Sequence, residues 1–478
     1  VTAYVPPAPP KIIIVGGGLA GLAAAVGLVG HDLDITILES RPRLGGRASS
    51  FPDPISGELI DNCQHVSMVC CTNLTDFCRR VGISHLFRRE PKVRFLSPEG
   101  KTSTLEEGPL PAPLHLSGSF LRANYLSILE RLRVAFGLAC LRFAPTGTTE
   151  SFASWLKRHG QTERTIERYW ATVLVSALNE RLEQMDIGHA KKVFIDGFLR
   201  NREGYQMELP LVPLGELYGT RLEQWLASRQ VNVRLTTGVK SIEFDAEGAV
   251  KGLNLRNGES LQADFIVLAV PFDRIATLLD EPTIERLPGL KNLGEIKSSP
   301  ITGVHLWFDR EICPVEHVVT VGRLVQWVFN HTSLQGRRAG EGDEVGQYLQ
   351  IVISASYDLV SMDNQAIKEA VIADLEAIWP STKEAQLVRW KVVTEHGATF
   401  AVRPGIEAIR PTQRTQADGL VLAGDWTSTG WPATMEGAVR SGYLAAEAVL
   451  ADLDQPEKLI QPDLPETRLS RWLLGPRS

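Results

Sequence analysis

The sequence predicts an α/β protein organised around a Rossmann-like dinucleotide-binding domain, and three stretches predict it. Lys11-Ile12-Ile13-Ile14-Val15 is apolar and mostly β-branched, as a strand buried on both faces requires. Gly16-Gly17-Gly18-Leu19-Ala20-Gly21 turns the chain into a helix rich in alanine and leucine, and Asp34-Ile35-Thr36-Ile37-Leu38-Glu39 completes a βαβ unit. The apolar runs from Asp264 to Pro271 and from Asp418 to Asp425 read as further buried strands.

Within the turn, Gly16, Gly18 and Gly21 form GxGxxG. The first glycine permits the tight turn, the second lets a pyrophosphate reach the backbone, and the third lets the helix pack on the strand. The helix start through Leu19 and Ala20 adds free N–H groups and a positive dipole end. Glu39, eighteen residues beyond Gly21, is placed to accept hydrogen bonds from an adenosine ribose. The alternative is a βαβ turn with a structural role alone.

A chain of 478 residues suggests two or three domains and has room for a cofactor and a second large ligand. A net charge of −6, with 22% charged residues and no long basic run, argues against nucleic acid as a partner. Cys63, Cys70, Cys71, Cys78, Cys140 and Cys313 form no CxxC pair. Buried thiols in a reducing, cytoplasmic compartment are the simpler reading, and a metal site through Cys71 and Cys78 the alternative; no metal is expected. No apolar run is long enough to span a bilayer. Residues 1–10, rich in proline, read as a flexible arm, and a start at Val1 leaves room for an upstream segment.

After Glu39 comes Ser40-Arg41-Pro42-Arg43-Leu44-Gly45-Gly46-Arg47. A bare NAD fold has no need of this second glycine pair, whereas the pyrophosphate of a flavin dinucleotide extends toward such a turn, where Arg47 can pair with it. A solvated turn with a surface arginine is the competing reading. Near the C-terminus, Gly424-Asp425 ends a short apolar strand, and Trp431-Pro432-Ala433-Thr434-Met435-Glu436-Gly437-Ala438 leads into a helix.

These blocks resemble the flavin-containing amine oxidase and carotenoid desaturase superfamily. The resemblance implies FAD, bound by a Rossmann-like domain of the GR2 type, interwoven with an α+β substrate domain of antiparallel sheet plus helices. On that basis 11–75, 209–275 and 411–450 form the FAD-binding domain, 76–208 and 276–410 the substrate-binding domain, and 451–478 a C-terminal tail. The resemblance further implies that Val239 meets the adenine through its backbone, that Asp425 lies near the ribityl and pyrophosphate, and that the helix entered through Trp431, Thr434, Met435 and Ala438 faces the flavin pyrimidine. Glu436 and Arg440, at i and i+4, read as a helix salt bridge.

Asp61-Asn62-Cys63-Gln64-His65-Val66 is similar to the DNGQHV signature of bacterial hydroxysqualene dehydroxylases, with Cys63 in place of glycine. That resemblance implies reduction of an allylic triterpene alcohol to squalene, as in hopanoid synthesis, with Asp61 or His65 as proton donor and Gln64 orienting the hydroxyl. The competing reading is a capped helix start with His65 in the core. The strand pattern around Val304, Leu306 and Phe308 resembles that of plant-type phytoene desaturases, so a carotenoid desaturase is the alternative function. Amine or protoporphyrinogen oxidase comes third, and a flavin carrier without turnover represents a different class.

Residues 114–143 carry Leu121, Tyr125, Ile128, Leu129, Leu132, Phe136 and Ala139 at helical spacing among arginines. This face either packs on the core, the simpler reading, or rests on a membrane. A long apolar isoprenoid substrate implies peripheral contact with the inner membrane. With a single GxGxxG, electrons for a reduction come from an external donor.

Overall fold

Five parallel strands form the sheet that the apolar runs predict, in the order Asn232–Arg234, Asp34–Leu38, Lys11–Val15, Phe265–Leu268, Leu420–Leu422. Ile13 is flanked by Thr36 on one side and Ile266 on the other, and Val267 meets Val421, so strands more than 150 residues apart close one layer. Ile12, Ile14 and Val267 are fully buried, which is why the central strands 12–15, 265–268 and 420–422 are apolar at every position. A computed structural model describes residues 8–54, 56–334 and 346–475 of the chain, and most of the expected N-terminal arm lies outside them.

The helices Leu19–Leu28 and Met435–Asp452 pack together on this sheet through small residues. A Cβ on Gly442 would stand 2.2 Å from the Ala20 carbonyl, so only glycine allows the approach. An antiparallel meander, Val239–Phe244, Val250–Leu255 and Ser260–Gln262, joins the strands at 232–234 and 265–268.

A second, seven-stranded mixed sheet takes the order Leu387–Phe400, Ser298–Phe308, Gln347–Ser354, Trp327–Asn330, His317–Thr320, Val93–Leu96, Thr102–Leu105. Its pairs are antiparallel except that between 317–320 and 93–96. One face packs on the helix Asn364–Ile378 through Ile367, Val371 and Leu375. The helices from 117 to 199 lie beyond its far edge, with wider π turns at Ile166–Ala171 and Val193–Leu199.

The helix Ile128–Leu141 departs from the simpler expectation of a core-facing apolar stripe. It turns Glu130, Val134, Gly137 and Leu141 inward, with Gly137 admitting the Trp170 ring. Ile128 is 75% exposed, Leu132 63% and Phe136 58%. The helix is apolar on more than one side, and the small side packs because it permits the closer approach.

The tail beyond the long C-terminal helix covers the body. Leu459 is fully buried, the Gln461 N–H donates to Asn73 Oδ1 at 2.9 Å, and Arg200 pairs with Glu466 at 2.7 Å. The helix Arg468–Leu474 follows, with Trp472 exposed and the Leu473 carbonyl accepting from Arg142. No helix among the described residues is long and apolar enough to cross a membrane. All six cysteines are free thiols, and Cys70, Cys71, Cys78 and Cys313 are buried.

Candidate flavin site and the cleft beside it

The predicted glycines do different physical work at the first turn. Gly16 has φ +113°, and a Cβ there would lie 2.4 Å from the Ala269 carbonyl. A Cβ on Gly21 would meet the Gly16 carbonyl at 2.0 Å. Above Gly18 the nearest atom to such a Cβ, the Gly46 Cα, is 3.8 Å away, so that position is kept open. The helix begins there without a side-chain cap and without an acidic residue in its first turn. Its N–H groups at Leu19 and Ala20 and its positive end therefore point to an anion site that the chain itself leaves unfilled.

The second glycine pair closes against the first. The Gly45 N–H donates to the Gly17 carbonyl at 2.8 Å, and Gly46, at φ +61°, lies directly over Gly18. Glu39 is buried, with Oε2 accepting from the Gly17 N–H at 2.8 Å and Oε1 accepting from the Arg41 N–H at 2.8 Å and the Ser40 hydroxyl at 3.3 Å. The carboxylate is thus held rigidly at the end of its strand. Thr237 N–H donates to the Glu39 carbonyl, which brings Val239 to the same edge. Val239 is buried, and its carbonyl accepts from Arg256.

Arg47 is expected to meet a pyrophosphate. Its guanidinium donates to Asp425 Oδ1 at 2.6 Å and to the Ala398 carbonyl at 2.7 Å, which fixes it at the end of the second glycine turn. Asp425 holds the guanidinium's pKa above its ordinary value against the opposing effect of burial. Gly424, at φ +146°, sets Asp425 in place, and its N–H donates to Ser441 Oγ at 2.8 Å.

At the start of the C-terminal helix Thr434 Oγ1 accepts from Gly437 N–H at 3.1 Å, capping the turn that contains Met435 and leads to Ala438. Glu436 and Arg440 form the expected i, i+4 ion pair, 3.6 Å apart. The fully buried Glu436 carboxylate chiefly accepts from Asn73 and Leu74 N–H at 3.2 and 2.8 Å, so it caps the helix Thr72–Arg80. The Trp431 indole N–H is buried without a hydrogen-bond partner among the described residues. An open glycine cradle, an uncapped helix start, a fixed acidic residue and an orphaned indole donor all fit a flavin dinucleotide.

The Asp61–His65 block lies beside this site. Asp61 ends the strand Leu59–Asp61, and its Oδ1 accepts from Ser50 Oγ at 2.5 Å and from Leu214 N–H at 2.9 Å. It therefore caps a helix 150 residues downstream, where the competing sequence reading expects a local helix start. Burial pushes its pKa up to about 6. His65 Nδ1 donates to the Cys63 carbonyl at 2.8 Å, while burial lowers its pKa, leaving a neutral ring with Nε2 as acceptor. Gln64 Nε2 donates to the His65 carbonyl, and its buried Oε1 has no partner among the described residues.

Arg47, Cys63 and His65 are each partly accessible. Beside them Leu209, Phe329, Leu334 and Val352 form an apolar wall against which Cys63, Val66, Ile301 and Trp327 pack. The sequence contained no local signal for this wall, because its members come from five separate segments. Farther out, an apolar cavity of about 490 Å³ opens between the 128–141 and 468–474 helices, lined by Tyr125, Phe143, Tyr169, Phe194 and Leu473.

The family model described as flavin containing amine oxidoreductase matches residues 19–450. The chain belongs to that family. FAD is its cofactor, and the protein is an FAD-dependent oxidoreductase. It is similar to 15-cis-phytoene desaturase of Arabidopsis thaliana, 27% identical over 469 residues that cover 94% of this chain and 81% of the relative. It is likewise 25% identical to a probable zeta-carotene desaturase of Synechococcus elongatus, over 92% of this chain and 98% of that one. An oxidoreductase from Methanosarcina mazei shares the fold with a TM-score of 0.69 at 16% identity, covering 92% of this chain and all of its own.

Proposed function

We propose that this flavoprotein reduces hydroxysqualene to squalene, removing an allylic hydroxyl as water. The observation that carries the reading is the Asp61–His65 block, a set of polar groups with Cys63 and His65 partly accessible beside the apolar cluster of Leu209, Phe329, Leu334 and Val352, where the proposed substrate cleft lies. A hydrocarbon substrate gains nothing from buried polar groups, whereas an alcohol satisfies them. Reduced FAD supplies the hydride that replaces the departing oxygen. The neutral His65 ring accepts the hydroxyl hydrogen at Nε2 and so orients the C–O bond. The Asp61 carboxyl keeps a protonated fraction near neutral pH because burial raises its pKa, and it is the proposed source of the proton. Dry apolar walls protect the allylic carbon from water.

The long isoprenoid chain is proposed to extend toward the outer apolar cavity and to enter from the inner membrane surface. Exposed Ile128, Leu132, Phe136, Phe143 and Trp472, among Arg122, Arg133 and Arg142, suit a lipid interface. Carotenoid desaturation is the second reading, favoured by the names of the similar desaturases.

The test is anaerobic. Photoreduced enzyme mixed with hydroxysqualene is expected to reoxidise its flavin and yield squalene in equal amount, and His65→Ala and Asp61→Asn are expected to slow the step. Reoxidation without squalene, or a phytoene-type hydrocarbon reducing the oxidised enzyme instead, would replace this reading with the second.

A further inference from the structure

The wall of the cleft that faces the Asp61–His65 block carries a polar chain buried in the seven-stranded sheet. Gly303, His305 and Trp307 share one face of their strand and pair with Val352, Gln350 and Tyr348 on the next. This face meets the block directly, since a Cβ on Gly303 would lie 3.1 Å from the Asn62 carbonyl and 3.8 Å from the Cys63 Cα. His331 Nε2 lies 2.9 Å from Gln350 Oε1, Gln350 Nε2 lies 3.5 Å from His305 Nε2, and His305 Nδ1 lies 2.7 Å from the Tyr348 hydroxyl. His305 and Gln350 are fully buried.

Three features make the end of this chain a ligand contact rather than a core network. Tyr348 is partly accessible, as Cys63 and His65 are, and it lies near Asp61 and Cys63. Its ring is clamped, stacked on Trp307 at 4.5 Å and on His331 at 4.8 Å, with the Arg389 guanidinium over the far face of Trp307 at 3.9 Å. The His305 nitrogen is the sole hydrogen-bond partner of the hydroxyl among the described residues. Burial takes the His305 pKa down to about 3, so the imidazole is neutral and has one donor and one acceptor nitrogen. Either order of protons along the chain leaves the Tyr348 oxygen one hydrogen-bonding position to fill, as donor or as acceptor.

We infer that Tyr348 is the anchor for the hydroxyl of an otherwise apolar alcohol bound in the cleft, with His305 and Gln350 as positioning residues behind it. An alcohol is both donor and acceptor and satisfies the open position whichever way the chain is ordered; a hydrocarbon leaves it unfilled. The inference rests on the proposed alcohol substrate, yet it concerns binding alone, so it is measured without turnover.

The test compares equilibrium binding of hydroxysqualene and squalene, each in detergent micelles, to the oxidised FAD-loaded protein through the flavin absorbance. The wild-type chain is expected to bind the alcohol about ten-fold more tightly. Tyr348→Phe keeps the stacked ring and the His65 contact and is expected to lose most of the preference for the alcohol, with squalene affinity, FAD content and Tm unchanged. Retention of the full preference in Tyr348→Phe, its absence in the wild type, or an equal fall of both affinities in the variant would overturn the inference. A wild-type protein that prefers the alcohol yet forms no squalene on reduction sinks the dehydroxylation and leaves the anchor standing.

Discussion

Arg47 Nη2 stands 2.6 Å from Asp425 Oδ1, joining the second glycine turn to the end of the last sheet strand across 378 residues of sequence. The carboxylate is nearly buried, so neither charge is well solvated without the other. The pair ties together the two segments that the family likeness assigns to the pyrophosphate region of one cofactor.

Breaking this pair has a larger cost than a surface ion pair would. Arg47→Met and Asp425→Asn are each expected to lose about 3 kcal/mol of stability, because one uncompensated buried charge or an unmet set of donors remains. Thermal unfolding and the ratio of flavin to protein absorbance, measured on both variants, check this; an unchanged Tm with full flavin content would contradict it.

Two glycines of one motif are expected to respond differently to the same substitution. Gly18→Ala meets open space and should leave the apoprotein's stability within about 1 kcal/mol of wild type while abolishing FAD binding. Gly21→Ala drives a methyl into the Gly16 carbonyl and should destabilise the fold itself. Apoprotein melting combined with FAD titration separates the two effects.

Asp61 makes stability depend on pH in a defined direction. Its carboxyl pKa stands at about 6 in the fold against an ordinary 3.8, so the folded chain holds a proton that the unfolded chain has already released. Stability is therefore highest with respect to this group below pH 4 and falls by about 3 kcal/mol as pH rises to 6, remaining lower above it. Asp61→Asn keeps an oxygen for Ser50 and Leu214, and should gain on wild type at pH 8 but not at pH 4. Denaturant melts of both proteins at the two pH values measure the difference.

Ile128, Leu132 and Phe136 bury little, so replacing all three with glutamate should change Tm by a degree or two at most. The wild-type chain is expected to co-sediment with anionic vesicles, and the same triple variant to lose that binding. Equal binding by both proteins would remove this surface from the membrane proposal.

Much of the dinucleotide site is legible in the sequence because its determinants are local. A glycine that needs φ of +113°, a helix start beside it and an acidic strand end recur at set spacings along one βαβ unit. The apolar runs at 265–268 and 420–422 are equally plain, since a strand covered on both faces has no polar positions.

What the tertiary structure alone decided is where charges and polar groups find their partners. Asp61 looks like a local cap and serves a helix at Leu214, Glu436 forms the helix ion pair with Arg440 that its spacing predicts and in addition accepts from Asn73 and Leu74, and Arg47 meets Asp425. The apolar stripe of 128–141 points outward because Gly137 and Val134 permit the closer approach to Trp170. Periodicity along the chain determines which residues share a face; which face is covered, and by what, depends on contacts between segments hundreds of residues apart, which no local pattern encodes.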